Sequence, residues 1–189
     1  MSRSLFVTRL YEAEVGTGDL LDQLAISIRS LAQEDEAGRR WSKEHRYPGY
    51  TSYASLNDLP RRDPAFADVA KLLKRHARTF ATELGWDSKP RLDSLWVNLL
   101  RGSGHHSAHI HPHSIISGTL YIDVPPGSGA IRFEDPRLPL MMAAPARPDT
   151  FVTLEPRDGL LLLWESWLRH EVLPGTGKSE RLSISFNLA

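Results

Sequence analysis

Five of the eight histidines in this chain lie between His105 and His113. Neutral imidazole is the commonest protein ligand for transition metals. His109 and His111 are two residues apart, and in an extended strand such a pair aims both rings at one face. Two ligands do not hold a divalent ion firmly, so a third must come from a distant part of the chain. His170, in Trp167-Leu168-Arg169-His170-Glu171-Val172, is the candidate. There is no cysteine, which removes zinc–thiolate sites, Fe–S clusters, disulfides and a thiol nucleophile together. Any metal must therefore be held by His, Asp or Glu.

A second candidate for chemistry lies eleven residues after His170. In Arg181-Leu182-Ser183-Ile184-Ser185-Phe186, polar and apolar residues alternate. A strand written this way turns one polar face to a cavity and packs the other. An arginine on such a wall can bind a carboxylate through two parallel hydrogen bonds. The bland readings are plain too. His105, His106 and His113 suit a loop or rim, His109 and His111 could sit on an exposed edge strand, and Arg181 could pair with Glu171 or Glu180.

Elements must carry these residues. Leu5 to Val15 reads as a first strand. Asp19 is placed to cap a helix from Leu20 to about Gln33, whose Leu20, Leu21, Leu24, Ile28 and Leu31 form one apolar stripe. The charged run Glu34 to Arg40 ends it. Trp41 to Pro60 is irregular, with aromatic residues that anchor a loop or line a pocket mouth. Asp63 as N-cap and Pro64 at the first position start a second helix that runs to Gly85. On its buried stripe His76 reads as a packed histidine, not a ligand.

Beyond Gly85 the helical period is lost. Leu95–Leu100, Ile115–Val124, Ala130–Phe133, Phe151–Leu154, Leu160–Trp164, Leu168–Val172 and Arg181–Leu188 read as short strands. Such spacing indicates an all-β barrel or sandwich. The expected organisation is a single domain over 1–189. Residues 1–90 form a helical part packed on the barrel, and 91–189 form the core that holds the metal site. Ser117-Gly118 marks a tight approach between strands.

Composition narrows the function. A formal net charge of zero leaves no broad footprint for nucleic acid or an anionic membrane. No apolar run approaches the ~20 residues that span a bilayer. The first residues lack a secretory-signal pattern, so a cytoplasmic location is expected.

With these motifs in view, the chain resembles the Fe(II)/2-oxoglutarate-dependent dioxygenases. More narrowly, it is similar to a group of oxygenases related to the prolyl hydroxylases whose substrates are mostly unassigned. The resemblance rests on His109-Ile110-His111, Ser117-Gly118-Thr119-Leu120-Tyr121, Phe133-Glu134-Asp135-Pro136, Trp167 to Val172 and Arg181 to Asn187, and spans about Leu95 to Asn187. It implies a mainly β fold, a double-stranded β-helix (a cupin-like jelly roll) flanked by two N-terminal helices. It implies Fe(II) as metal, 2-oxoglutarate as cosubstrate, O2, and oxidation of an unidentified substrate with release of succinate and CO2.

By position, His109, His111 and His170 match the family's metal ligands. Arg181 and Ser183 match the pair that binds the far carboxylate of the cosubstrate. Tyr121 and Asn98 lie where neighbouring strands add polar groups to it. The family usually has Asp or Glu where this chain has His111. Three neutral imidazoles leave the metal one unit more positive. Asp135 is an alternative ligand from a neighbouring strand end, and His111 with His113 is an alternative register.

Two rival classes remain. One is a cupin-like three-histidine metal enzyme that does not use 2-oxoglutarate. The other is a non-catalytic jelly-roll module whose amphipathic helices form a homodimer face.

Overall fold

Two antiparallel sheets face each other in the computed structural model, which describes residues 2–16, 18–87, 89–137, 142–145 and 147–189. The strands are β1 (Leu10–Glu14), β2 (Gly49–Thr51), β3 (Leu92–Arg101), β4 (His106–His109), β5 (Ile116–Asp123), β6 (Ile131–Glu134), β7 (Phe151–Leu154), β8 (Leu160–Glu165), β9 (His170–Val172) and β10 (Glu180–Leu188). The larger sheet has the order β1-β8-β5-β10-β3-β2, and the smaller β4-β9-β6-β7. Apart from β2-β3 and β6-β7, neighbouring strands are non-consecutive in sequence, which makes this the expected jelly roll. The α-helices α1 (Asp19–Glu34), α2 (Glu36–Glu44), α3 (Leu59–Arg62) and α4 (Pro64–Glu83) accompany it.

The larger sheet explains the alternation in the sequence. Leu182, Ile184 and Phe186 of β10 point outward and join one core with Leu24 and Ile28 of α1 and Phe66, Leu73 and Phe80 of α4. The apolar stripes of both helices are thus buried against this sheet. Arg181, Ser183 and Ser185 point inward, toward the smaller sheet. In β8 both faces are apolar because both are covered. Leu161 and Leu163 pack under the helices, while Leu160, Leu162 and Trp164 fill the inter-sheet space. At β5, a Cβ on Gly118 would stand 2.3 Å from the Phe186 ring and 2.6 Å from the Leu162 carbonyl, so only glycine permits this strand approach.

Several local expectations change. Asp19 is the first helical residue of α1 and not its cap; Gly18 occupies the cap without a side-chain bond. The charged run after α1 does not end helical structure. Asp35 caps a second helix, accepting the Gly38 N–H. Asp63 caps α4 as expected, accepting from the Ala65 N–H at 2.8 Å. The N-terminal part is not purely helical, because β1 pairs with β8 and β2 with β3. His76 is half-buried at the edge of the core and not within it, its Nδ1 2.8 Å from the Tyr11 hydroxyl. Among the described residues no helix is long and apolar enough to cross a membrane. Between β6 and β7, residues 138–141 and 146 lie outside the described residues.

Candidate metal centre

The three expected histidines converge. His109 ends β4, His170 opens β9, and the two face each other as register partners. His111 lies just past the end of β4, where its backbone N–H donates to the Ser166 carbonyl at 3.0 Å. The expected strand pair is therefore corrected: the strand ends at His109, and His111 is held by a loop contact. One ligand nitrogen from each ring lies within 4.8 Å of the other two. The Nε2 atoms of His111 and His170 are 3.3 Å apart.

Each ring's orientation has a local cause. The Nδ1 of His109 is 2.7 Å from the Ser107 carbonyl, and the Nδ1 of His170 is 2.9 Å from the Leu168 carbonyl. A carbonyl can only accept, so both Nδ1 atoms carry the proton and both Nε2 lone pairs face the centre. Such supporting bonds are what fix a metal-binding histidine in position. Burial holds two of these imidazoles neutral, with His170 pushed down to about 3 and His111 to about 4. Desolvation is the main cause in both, and for His170 the bond to Leu168 acts in the opposite direction. The His170 Nε2 can therefore accept from the His111 Nε2–H across 3.3 Å, and in the other His111 tautomer both nitrogens present lone pairs to a cation. The donor set thus fits a transition metal.

His106 also turns inward, three residues before His109. In a regular strand that spacing would put the two on opposite faces. Here β4 carries a bulge: His106 pairs with Val172 and His109 with His170, so three residues match two. The expectation of a rim position for His106 is corrected. Its Nε2 bonds the Tyr47 hydroxyl at 2.8 Å. Burial, then the nearby Arg181 guanidinium, pushes it down to about 3.

The cosubstrate candidates form a row across three strands. Ser183 of β10 pairs with Asn98 of β3 on one side and Tyr121 of β5 on the other. Asn98 Oδ1 accepts from Thr51 Oγ1 at 2.9 Å and Tyr47 Oη at 3.1 Å, and its Nδ2 donates to Ser185 Oγ at 3.0 Å. Arg181 is 5% exposed. Its Nη1 donates to the Gly129 carbonyl at 2.8 Å, its Nε has no partner, and its Cζ stands 5.5 Å from the Tyr121 ring centroid. The two acids that could have neutralised it are engaged elsewhere: Glu171 pairs with Arg132 and Glu180 with Arg101. A buried guanidinium without a carboxylate is costly, and here it faces a cavity.

That cavity, about 340 Å³, is lined by all seven candidates: His109, His111, His170, Arg181, Ser183, Tyr121 and Asn98. Tyr47, Trp41, Tyr53 and Trp96 are among the other residues of its wall. Of the aromatic residues of the 41–60 segment, Trp41, Tyr47 and Tyr53 thus line the cavity, while Tyr50 is buried in the core under the helices. Asp135 does not reach this cavity. Its carboxylate is held by Arg137 through Nε at 3.0 Å and Nη2 at 2.7 Å, which keeps it at about 2. The alternative ligand is therefore corrected, because Arg137 holds that carboxylate in a separate groove. His113 sits exposed in a turn with φ 70°, so the His111–His113 register is not adopted.

Residues 94–187 match the family described as "Putative 2OG-Fe(II) oxygenase". No curated protein matches the chain. Among solved structures, the chain is similar to a prolyl-4-hydroxylase from Pseudomonas putida, at 18% identity over 95% of this chain and 92% of that one, with a TM-score of 0.65. It is also similar to the non-heme alpha ketoglutarate dependent epimerase SnoN from nogalamycin biosynthesis (17% identity, 96% and 76% covered, TM-score 0.67). HygX from Streptomyces hygroscopicus, solved with nickel and 2-oxoglutarate bound, gives 14% identity, 96% and 82% coverage, and a TM-score of 0.62. At such identities the structural likeness is one of fold.

Proposed function

This chain belongs to the 2OG-Fe(II) oxygenases, and from that premise we propose that His109, His111 and His170 hold its ferrous ion while Arg181 and Ser183 grip the far carboxylate of 2-oxoglutarate. The observation that carries the reading is a buried guanidinium with no carboxylate partner and a free Nε, in the same cavity as three convergent imidazoles. When bound, Fe(II) supplies the oxidation, in which O2 and 2-oxoglutarate are consumed, succinate and CO2 are released, and a substrate C–H bond is hydroxylated.

The protein's own residues do the rest. Arg181 offers a fork that matches a carboxylate. The Gly129 carbonyl and the Tyr121 ring face hold that fork still. Asn98 is tied by three side-chain bonds and keeps the floor beside Ser183 rigid. Ser107 and Leu168 carbonyls keep two imidazoles in the ligating tautomer. Because the third ligand is His111 and not a carboxylate, the donor set cancels none of the ion's charge, which favours an anionic 2-oxo acid.

Protein reconstituted with Fe(II) is expected to bind 2-oxoglutarate and to form succinate in the presence of O2. Absence of both would overturn the reading. The all-histidine donor set favours one second reading, a three-histidine metal enzyme that does not use 2-oxoglutarate. Arg181→Ala separates the two. It abolishes cosubstrate binding under the first reading and leaves metal-dependent properties intact under the second.

A further inference from the structure

We infer that the mouth of this cavity receives a planar aromatic substrate bearing a negative charge, an inference that rests on the oxygenase reading above. An aromatic track runs from solvent to the metal ligands. Trp41 lies 6.3 Å from Tyr53, Tyr53 meets Trp96 edge-on at 5.2 Å, and Trp96 lies 6.1 Å from His111, all between ring centroids. All four residues line the cavity. Trp96 is buried, so it fixes Tyr53 from below, yet Tyr53 itself is 61% exposed. The chain thus holds an aromatic ring at the entrance without covering it. Flat π-faces of this kind favour flat partners in offset or edge-on contact.

Aromatic walls also bind organic cations, and charge decides between the two. No Asp or Glu lines the cavity among the described residues. Its formal charges are the Arg181 guanidinium and the metal dication, against the two carboxylates of 2-oxoglutarate. The sum is one net positive charge, since the ligand imidazoles are neutral. A carboxylate at position 111 would have brought it to zero. A unit charge ~7 Å away in an effective dielectric of about 20 feels this as roughly 50-fold in an equilibrium constant, and as roughly threefold even in bulk water. The sign is the same throughout: an anion gains and a cation loses.

The test uses full-length protein loaded with Ni(II) and saturated with 2-oxoglutarate. Three probes are titrated by calorimetry and tryptophan fluorescence: 2-naphthoate, cyclohexanecarboxylate, and a naphthylmethyl-trimethylammonium salt. Naphthoate is expected to bind at least tenfold more tightly than either comparator. Tyr53→Leu and Trp41→Leu, at exposed and half-buried positions, are each expected to weaken naphthoate several-fold and to leave cyclohexanecarboxylate unmoved. Equal or tighter binding of the ammonium probe overturns the inference, as does a ring preference that survives both substitutions. The titration of 2-oxoglutarate on the same preparation reads the parent assignment. If 2-oxoglutarate does not bind, the oxygenase reading fails; if it binds and naphthoate shows no preference, only the present inference fails.

Discussion

β10 and the β4–His111 segment furnish the two ends of one cavity by opposite means. β10 is a nine-residue strand paired on both sides, and its inward positions keep a period of two although its register slips by one against β5 at Leu182/Ser183 and against β3 at Asn187/Leu188. β4 is four residues long, lies at the edge of the smaller sheet, carries a bulge, and hands its last ligand to a loop. A strand paired on both sides can hold a carboxylate clamp, because one guanidinium needs only a rigid wall. Three nitrogen atoms that must meet at a point need side chains from different directions, and a regular ladder cannot supply those. The irregularity of β4 is thus part of the site.

The largest break in this comparison is expected from His170→Ala, which removes the register partner of His109. Metal affinity should fall by more than ~100-fold, beyond what loss of a supporting residue costs, as metal analysis after dialysis would show. Arg181→Leu breaks the other end. It should weaken 2-oxoglutarate by roughly 30-fold or more, the usual cost of losing one partner of a buried charged contact, with metal content unchanged. Arg181→Lys keeps the charge but loses the fork, so calorimetry should find it between wild type and Arg181→Leu.

Acid separates the two ends without mutation. His170 and His111 titrate at about 3 and about 4 in the folded chain, below the ordinary 6.5. As pH falls below 6.5 the unfolded chain takes up protons first. The metal-free protein should therefore keep its full stability above about pH 6.5 and lose it progressively toward pH 3–4. Arg181 does not titrate there, so β10 adds no slope. Denaturant melts across this pH range would reveal it, and His170→Phe should reduce the slope without abolishing it, because His111 and His106 are depressed as well.

Smaller effects sharpen the picture. Tyr47→Phe removes the hydroxyl shared by Asn98 and His106 and should cost about 1 kcal/mol of stability, measured by urea unfolding. Asp135→Asn should leave metal stoichiometry unchanged, since Arg137 and not a metal holds that carboxylate.

Much of β10 was legible because its polar and apolar faces alternate and both are used. The same holds for the buried stripes of α1 and α4 and for the Asp63 cap. α2 was missed because it is polar and buries little more than Gly38 and Ser42, so it carries no apolar stripe to read. His106 and Tyr47 were missed for a different reason. The bulge cancels the parity that a three-residue spacing implies, and Tyr47 reaches Asn98 across fifty-one positions of chain.

By itself the sequence determined which atoms were available: imidazoles without thiols, one arginine on an alternating strand, and apolar faces enough for two layers. Those follow from side-chain chemistry and from the periods of strand and helix, which are local. The tertiary structure alone decided that Glu171 and Glu180 would be taken by other arginines, that Asp135 would be held away, and that His106 would face inward. Such outcomes depend on which groups meet in space after both sheets close, and no local period contains that information.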